Sequence, residues 1–345
     1  MKKKVLFRID GSRRVGMGHV SRCLELAKYL KKYEVNSLFV FRENQSLEKI
    51  VNKKNSYFTF PVSYSNKQEL LFLKKIIKKE KINCLIIDQP IHKSKEFFQQ
   101  INKLCKTIVF DNINKNSLNA NLIIFPWSNL DKYRKKLRPE ISKKILTGSQ
   151  YMVLGNHRKK SISNKKEKRI LISMGGSDKL QFTEKIIESF KKTDYKIKID
   201  IVLGSFFKDS EKIRKLIGED KRFKIIQNNE NLLMEMKKST IGIFTFGLTT
   251  YESLFAGLPS IIISHSKLND KYGKMLNSYE CINYLGYYKN VEFGKIASLA
   301  EKLMLDKKIR EKYIQKGEKI VDGKGIQRIV QRIINLMDGK VSEVL

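Results

Sequence analysis

Short apolar runs alternate along the chain with longer segments whose apolar residues recur at helical spacing, and that rhythm predicts the architecture. Val5–Ile9 reads as a strand. After it, Val20, Cys23, Leu24, Leu26, Ala27 and Leu30 share one helical face, with Ser21, Arg22, Glu25 and Lys28 between them. Ser37–Phe41 and Tyr57–Phe60 read as strands on either side of a helix over Leu47–Lys53. A helix over Gln68–Glu80, with Leu71, Ile76 and Ile77 turned inward, leads to the continuous apolar run Cys84–Ile87, which ends at Asp88. Such a run is expected of a parallel strand buried on both faces. A helix over Ser94–Leu104 and strands over Thr107–Phe110, ending at Asp111, and Leu122–Phe125 continue the series. Strand and helix in this order make a parallel sheet with right-handed crossovers.

Asn156–Lys168 is polar, charged and without apolar periodicity, and reads as a linker. The pattern then restarts. Arg169–Met174 is a strand running into Gly175-Gly176-Ser177-Asp178, followed by a helix over Gln181–Lys191, an echo of the opening strand, glycine loop and helix. Strands at Lys198–Leu203, Phe223–Ile226, Ile241–Thr245 and Ile261–Ser264 follow, with helices at Ser210–Ile217 and Asn231–Lys238 and a helix near Thr249–Phe255 with Leu254 and Phe255 inward. The expected organisation is an N-terminal domain over 1–155, a linker over 156–168, a second domain over 169–322, and a C-terminal helix within 323–345 with a route back to the first domain. The fold class is α/β: two Rossmann-type, doubly wound domains facing an interdomain cleft.

Length supports two domains, because 345 residues, 41% of them hydrophobic, exceed what one core usually organises. No apolar run reaches the roughly 18–20 residues of a membrane span, and the opening residues lack the apolar stretch of a secretory signal, so a cytoplasmic protein is expected. Cys23, Cys84, Cys105 and Cys281 are scattered without Cys-x-x-Cys spacing, which argues against a disulfide or zinc framework. The 70 basic against 35 acidic residues give a formal charge of +35. Because the basic residues are spread over the whole chain and no nucleic-acid motif accompanies them, the excess points away from nucleic acid. It favours anionic small molecules and leaves room for a weak peripheral contact with an anionic membrane.

Chemistry concentrates at the opening turn. Gly16 and Gly18 allow a backbone that residues with a Cβ resist, and a helix that starts behind such a loop offers unpaired amides and a positive dipole end. His19 stands at that mouth, with Arg8, Asp10, Ser12, Arg13 and Arg14 around it. A Gly-x-Gly after a first strand also serves simply to close a turn, and a loop histidine can be just a polar residue; the crowd of ionisable groups is what favours a site. The strand ends bring Asp10, Asp88 and Asp111 to one edge, where ligands of parallel sheets bind. A single carboxylate there is often only a helix cap. In the second half, Gly247-Leu248-Thr249-Thr250-Tyr251-Glu252 starts a helix, with Thr249 and Thr250 able to cap it and Glu252 near its first turn. Glu252 is either a carboxylate favoured by the helix dipole or a partner for ribose hydroxyls beside amides that take a phosphate. Two such halves suit a ligand with a diphosphate between two sugars.

The blocks Arg8-Ile-Asp10, Gly16-Met-Gly-His19-Val-Ser-Arg22-Cys23-Leu24, Ser173-Met-Gly-Gly-Ser-Asp178, Gly247-Leu-Thr-Thr-Tyr-Glu252, Ala256-Gly-Leu-Pro259 and Asp322-Gly-Lys-Gly325 with Arg328 resemble, in order, the UDP-sugar hydrolase family of pseudaminic acid biosynthesis, whose relatives include proteins of spore-coat polysaccharide synthesis. That family is similar to the two-domain GT-B transferase that adds N-acetylglucosamine to a lipid-linked peptidoglycan precursor. The resemblance implies hydrolysis of a UDP-linked amino or deoxy sugar, inverting at the anomeric carbon, by a water that His19 activates. It implies ribose held by Glu252, diphosphate held by Leu248, Thr249 and Thr250 at their helix start, and Gly175, Gly176 and Ser177 closing on the nucleotide. The base would dock near Asn229 to Leu232. Arg8, Asp10, Arg13, Gly16, Gly18 and Asp88 would line the sugar side, with Arg13 or Arg14 helping to absorb leaving-group charge and Asp10 or Asp88 orienting His19. No cofactor and no metal are expected, and the protein would work as a monomer or homodimer. On the sugar side the chain departs from the family pattern at Asp88-Gln89-Pro90, Phe125-Pro126-Trp127 and Tyr151–Gly155. The alternative is a GT-B glycosyltransferase that uses a UDP-sugar for a cell-surface glycan.

Overall fold

The computed structural model describes residues 2–11, 18–52, 55–89, 93–155, 168–204, 206–227 and 232–340. The chain divides into two compact units, one made of Met1–Asn156 with Gly323–Leu345 and one of His157–Asp322.

In the first unit, strands β1 (Lys4–Ile9), β2 (Asn36–Arg42), β3 (Ser56–Phe60), β4 (Cys84–Asp88), β5 (Lys106–Phe110), β6 (Leu122–Phe125) and β7 (Ile145–Thr147) form one parallel sheet in the order β3-β2-β1-β4-β5-β6-β7. Helices α1 (Gly18–Leu30), α2 (Gln45–Val51), α3 (Asn66–Glu80) and α4 (Lys95–Ile101) make the connections, with short turns α5 (Asp131–Arg134) and α6 (Pro139–Ser142) near β7. Each of α2, α3 and α4 starts on a side chain that takes an orphan amide. Asn44 accepts from Ser46 and Leu47, Ser65 closes a capping box with Gln68, and Ser94 accepts from the Phe97 amide. Alternation along β1 sends Val5, Phe7 and Ile9 into a core shared with α1 and α2, and Leu6 into a core shared with α3 and α4. Cys84 and Ile86 of β4 follow the first face, Leu85 and Ile87 the second. The helix at the far end of the sequence, numbered α14 below, completes the first core with Ile326, Ile329, Val330 and Ile333.

The second unit repeats the plan. Strands β8 (Arg169–Ser173), β9 (Lys198–Val202), β10 (Phe223–Ile226), β11 (Ile241–Thr245), β12 (Ser260–Ser264) and β13 (Asn283–Tyr287) are parallel in the order β10-β9-β8-β11-β12-β13. Its helices are α7 (Phe182–Lys191), α8 (Ser210–Ile217), α9 (Leu232–Lys238), α10 (Leu248–Phe255), α11 (Lys267–Asn277), α12 (Ile296–Leu305) and α13 (Lys307–Ile320), after which α14 (Gly325–Met337) returns to the first unit. Both sheets therefore reverse their strand order once, between β1 and β4 in one unit and between β8 and β11 in the other. Those reversals are where open α/β sheets leave a crevice for ligands.

Some expectations change. Leu71 is 57% exposed, and Leu70 and Leu73 take the inward positions, because α3 starts at Asn66 and its buried stripe runs through Glu69, Leu70, Leu73, Ile76 and Ile77. In α10 the buried residues are Thr250, Tyr251, Ser253 and Leu254, with Phe255 only half-buried. Cys23, Cys84, Cys105 and Cys281 are all buried free thiols. Among the described residues no helix is long and apolar enough to cross a membrane.

Candidate active site

At the reversal point of the first sheet, Ile9 at the end of β1 is in register with Asp88 at the end of β4. The alternation that turns Cys84 and Ile86 toward α1 turns Asp88 the same way. Its carboxylate is fully buried against the first turns of α1. His19 brings Nδ1 to 2.5 Å from Asp88 Oδ1, Arg22 donates from Nε to Oδ2 at 2.7 Å and from Nη2 to Oδ1 at 2.6 Å, and the Cys23 thiol donates to Oδ2 at 3.4 Å. His19 and Arg22 reach one carboxylate because they lie three apart on a helix. Arg22 Nη2 also donates to Asp111 Oδ2 at 2.6 Å and lies 3.4 Å from His19 Nδ1. The Arg22 guanidinium rests over the Phe110 ring at 4.7 Å. Asp111, the first residue after β5, adopts left-handed backbone with φ of 56°, a conformation that Asp and Asn tolerate better than most residues.

The electrostatics follow from this packing. Burial opposes a charge on Asp88, but Arg22 and His19 outweigh it and hold the carboxyl well below its usual range. Burial likewise opposes a charge on the His19 ring, and Asp88 overrides it, so the imidazole binds its proton more tightly than usual. The Cys23 thiol is pushed far up by burial and by Asp88, which keeps it protonated. With Nδ1–H donating to Asp88, the second ring nitrogen, Nε2, carries the free lone pair, and it has no hydrogen-bond partner among the described residues. The arrangement is an acid–base dyad with a half-exposed histidine, 21% accessible, over a buried carboxylate.

His19, Asp88 and Asp111 also bring one donor atom each within 4.8 Å of one another, the residue types of a divalent-cation site. The guanidinium disagrees: Arg22 Nη2 already sits 2.6 Å from both carboxylates, where an added cation would meet a fixed positive charge. These residues do not fit a metal.

Arg8, expected at the substrate, is corrected. As an even member of β1 it points to the α3 face, is completely buried, and donates from Nε to Glu69 Oε1 at 2.8 Å. Its Nη1 and Nη2 clasp Asp10 at 2.8 and 3.0 Å. Glu69, itself fully buried, is further paired with Lys93 Nζ at 2.5 Å and Arg42 Nη2 at 3.2 Å. Arg8 is thus a holder of Asp10, whose side chain remains 15% exposed. Of the two carboxylates left open as partners for His19, Asp88 makes the contact and Asp10 is taken by Arg8. Gly18 is the exposed first residue of α1, while Arg13 and Gly16, with Ser12 and Arg14, lie outside the described residues.

In the second unit, Gly175 adopts φ of 82°, and the Gly175-Gly176-Ser177 turn is half-buried against Gly204. A Cβ on Gly204 would come within 2.5 Å of the Gly175 carbonyl oxygen and the Gly176 Cα. The start of α7 behind this turn is already filled, because Asp178 accepts from the Phe182 and Thr183 amides at 3.0 and 2.8 Å. The start of α10 is different. The Leu248 and Thr249 amides have no partner among the described residues, and a Cβ on Gly247 would meet nothing within 4 Å. Thr250, expected to touch a diphosphate, is fully buried; its hydroxyl accepts from the Gly247 amide at 3.3 Å and so supports the turn from inside. Asn269 pins the same turn by donating to the Phe246 carbonyl at 3.1 Å. Glu252, one turn on, is half-buried, has no partner for its carboxylate among the described residues, and is pushed up to about 7 by burial. Of the stretch expected to dock the base, 229–231 lies outside the described residues, and Leu232 is the first residue of α9.

Sequence reasoning passed over Arg22 and Glu69 as site residues and counted Asp111 only as a strand-end carboxylate. Arg22 was signalled by its i, i+3 spacing from His19. Glu69 carried no local sign, since its partners Arg8, Arg42 and Lys93 come from separate elements.

Fold and site together define a class: an α/β protein of two Rossmann-type units, with an Asp–His dyad at one strand reversal and an open helix start at the other. Its architecture is the GT-B-like fold. The solved structures it matches include MurG of Acinetobacter baumannii, with a TM-score of 0.70 and 13% identity over 96% of this chain and 99% of that one. They also include a Staphylococcus aureus MnaA–UDP co-structure, with a TM-score of 0.68 and 15% identity over 99% and 100% of the two chains. By sequence the chain is similar to the uncharacterized protein MJ1062 of Methanocaldococcus jannaschii, 29% identical over 98% of this chain and 67% of that protein. It is 24% identical to the spore coat polysaccharide biosynthesis protein SpsG of Bacillus subtilis, over 96% of this chain and 98% of SpsG. It is 26% identical to the UDP-2,4-diacetamido-2,4,6-trideoxy-beta-L-altropyranose hydrolase of Campylobacter jejuni, over 73% and 88% of the two. No family model matches the chain.

Proposed function

We propose that the protein hydrolyses a UDP-linked amino or deoxy sugar at its anomeric carbon in the making of a surface polysaccharide or a nonulosonic acid. The observation that carries this reading is the His19–Asp88 contact of 2.5 Å with Nε2 left without a partner among the described residues. An imidazole so held can take a proton from water at near-neutral pH, which general-base catalysis requires. The water oxygen forms a bond to the anomeric carbon as its proton passes to Nε2, the bond from that carbon to the diphosphate oxygen breaks, and UDP departs with the electron pair. Attack opposite the leaving group inverts the centre.

The unpartnered Leu248 and Thr249 amides, at the positive end of α10, suit the growing negative charge of the diphosphate. Glu252 suits the ribose hydroxyls as a hydrogen-bond acceptor. The names of the SpsG and Campylobacter relatives, and the UDP in the MnaA co-structure, support the substrate class. The reading requires one substrate to reach both units. If an acceptor hydroxyl replaced water at the same base, the site would be that of an inverting glycosyltransferase.

Candidate UDP-sugars incubated without any acceptor test the choice. Release of UDP together with free sugar supports hydrolysis. UDP release that appears only when a glycan or lipid acceptor is added overturns it in favour of transfer.

A further inference from the structure

Arg22 is more than a brace for Asp88. Its Nη2 is shared among Asp88 Oδ1 and Asp111 Oδ2, at 2.6 Å each, and the edge of His19, at 3.4 Å from Nδ1. By contrast, Arg22 Nη1 and Asp111 Oδ1 are buried and have no partner among the described residues. A pair built only to hold the sheet together would use the parallel two-point geometry that guanidinium and carboxylate favour. Here the second point of contact is given up, and the arm next to the imidazole is the one engaged. Asp111 reaches it from left-handed backbone at the end of β5.

Building on the hydrolase reading, we propose that Asp111 is a positioning residue for His19, acting through Arg22. It draws the guanidinium arm off the ring edge and adds a second negative charge on the side of the ring where Asp88 sits.

Among the described residues, the charged and titratable groups that face His19 are Asp88 from β4, Asp111 from the end of β5, and Arg22 with Cys23 from its own helix. The Cys23 thiol stays protonated, so three charges count. With Asp111 ionised they sum to one net negative charge, which stabilises the imidazolium formed when the base takes its proton. Without it they cancel, and the Arg22 arm is released toward Nδ1. Asp111 raises the proton affinity of His19, whereas Arg22 lowers it.

The test is an NMR titration of the His19 ring in the full-length protein, with the signal assigned by its loss in His19→Gln. Asp111→Asn is the first variant, because asparagine tolerates the same left-handed backbone. The His19 midpoint should move to lower pH by about half a unit or more, the direction and scale of removing a nearby charge at an effective dielectric of about 20. The acid limb of UDP release should move with it, with kcat falling more than KM. Asp111→Ser must give the same sign. An unchanged or raised midpoint in a folded variant overturns the proposal, since a merely structural carboxylate would lower stability without moving the ring's titration. The titration needs no substrate, so a wild-type protein that releases no UDP would sink the hydrolase reading and leave this measurement standing.

Discussion

Replacing Asp88 by asparagine keeps size and shape and removes one charge from the centre of the dyad. In the native protein that carboxylate accepts from Arg22 Nε and Nη2, from His19 Nδ1 and from the Cys23 thiol. Its loss leaves Arg22, which is fully buried, with Asp111 as its remaining carboxylate. Truncating one partner of a buried charge pair typically costs about 3–5 kcal/mol. Because Asp111 remains, the lower end, about 3 kcal/mol, is expected. The kinetic effect is larger than the thermal one. An amide neither stabilises the imidazolium nor fixes the proton on Nδ1, and in comparable Asp–His pairs such a loss lowers turnover by about 10²- to 10⁴-fold, or roughly 3–5 kcal/mol of barrier.

The pH dependence has a definite sign. A general base works when neutral, so UDP release should rise with pH through the folded-state pKa of His19, which lies above its ordinary 6.5. Asp88→Asn removes the main cause of that elevation and leaves burial and Arg22, which both lower the value, against Asp111 alone, which raises it, so the acid limb should move to lower pH. The protonated ring also contributes stability below its unfolded pKa, lost as pH rises through the higher folded value. In the variant that contribution disappears. The assay is UDP release across mildly acid to alkaline pH, with urea unfolding in parallel. A folded Asp88→Asn protein that turns over within about threefold of wild type, with its acid limb unmoved, would refute the dyad.

Three further outcomes are expected. Leu248→Pro removes one of the unpartnered amides at the first position of α10, where proline is tolerated and where the extended Gly247 before it, at φ of 169°, is compatible. Helix content should hold while UDP affinity, read by calorimetry, falls about 10- to 100-fold, the worth of a hydrogen bond to a charged group. Glu252 carries a carboxyl pushed up to about 7 by burial, so the folded protein should lose stability as pH rises from about 4.5 to about 7; Glu252→Gln should flatten that slope in urea unfolding and weaken UDP binding most above pH 7. Gly325→Ala would set a Cβ 2.1 Å from the Met152 carbonyl oxygen, so the start of α14 must shift. Faster proteolytic removal of the C-terminal helix is the readout, and an unchanged cleavage rate would count against its seat on the first unit.

How much of this was legible in the sequence depended on whether the cause was local. The two parallel sheets followed from apolar runs such as Cys84–Ile87, buried at every position. β7, only three residues long at Ile145–Thr147, gave no run to read, and β13, Asn283–Tyr287, is polar and half-buried because it closes the sheet's edge. The α3 phase was misread because Leu71 looks like a core residue, whereas the true stripe includes Glu69, a carboxylate buried only because Arg8, Arg42 and Lys93 meet it. His19 was readable from its motif, and Asp88 from the strand end. Their pairing was not, since Asp10 stood at an equivalent strand end. What separates them is the face of the sheet: β1 turns Arg8 toward α3, where it captures Asp10, while β4 turns Asp88 toward α1.

The two units share one topology, yet they employ their helices differently, and the difference follows from single side chains. In each, the helix after the first strand starts at the sheet's reversal, where its amides would suit an anion. In the second unit Asp178 supplies that anion from the chain itself, bonding the Phe182 and Thr183 amides, and so closes the start of α7 to any ligand. The next helix at the same reversal, α10, follows Gly247, where an added Cβ would meet nothing within 4 Å among the described residues, and its Leu248 and Thr249 amides have no partner among them. In the first unit the corresponding helix carries His19 as its second residue, whose partner is the carboxylate one strand away. A repeated fold thus yields one position fit to move a proton and another fit to hold negative charge. The assignment turns on where each unit places its aspartate: in the loop before the helix, where it caps, or on the neighbouring strand, where it orients a base.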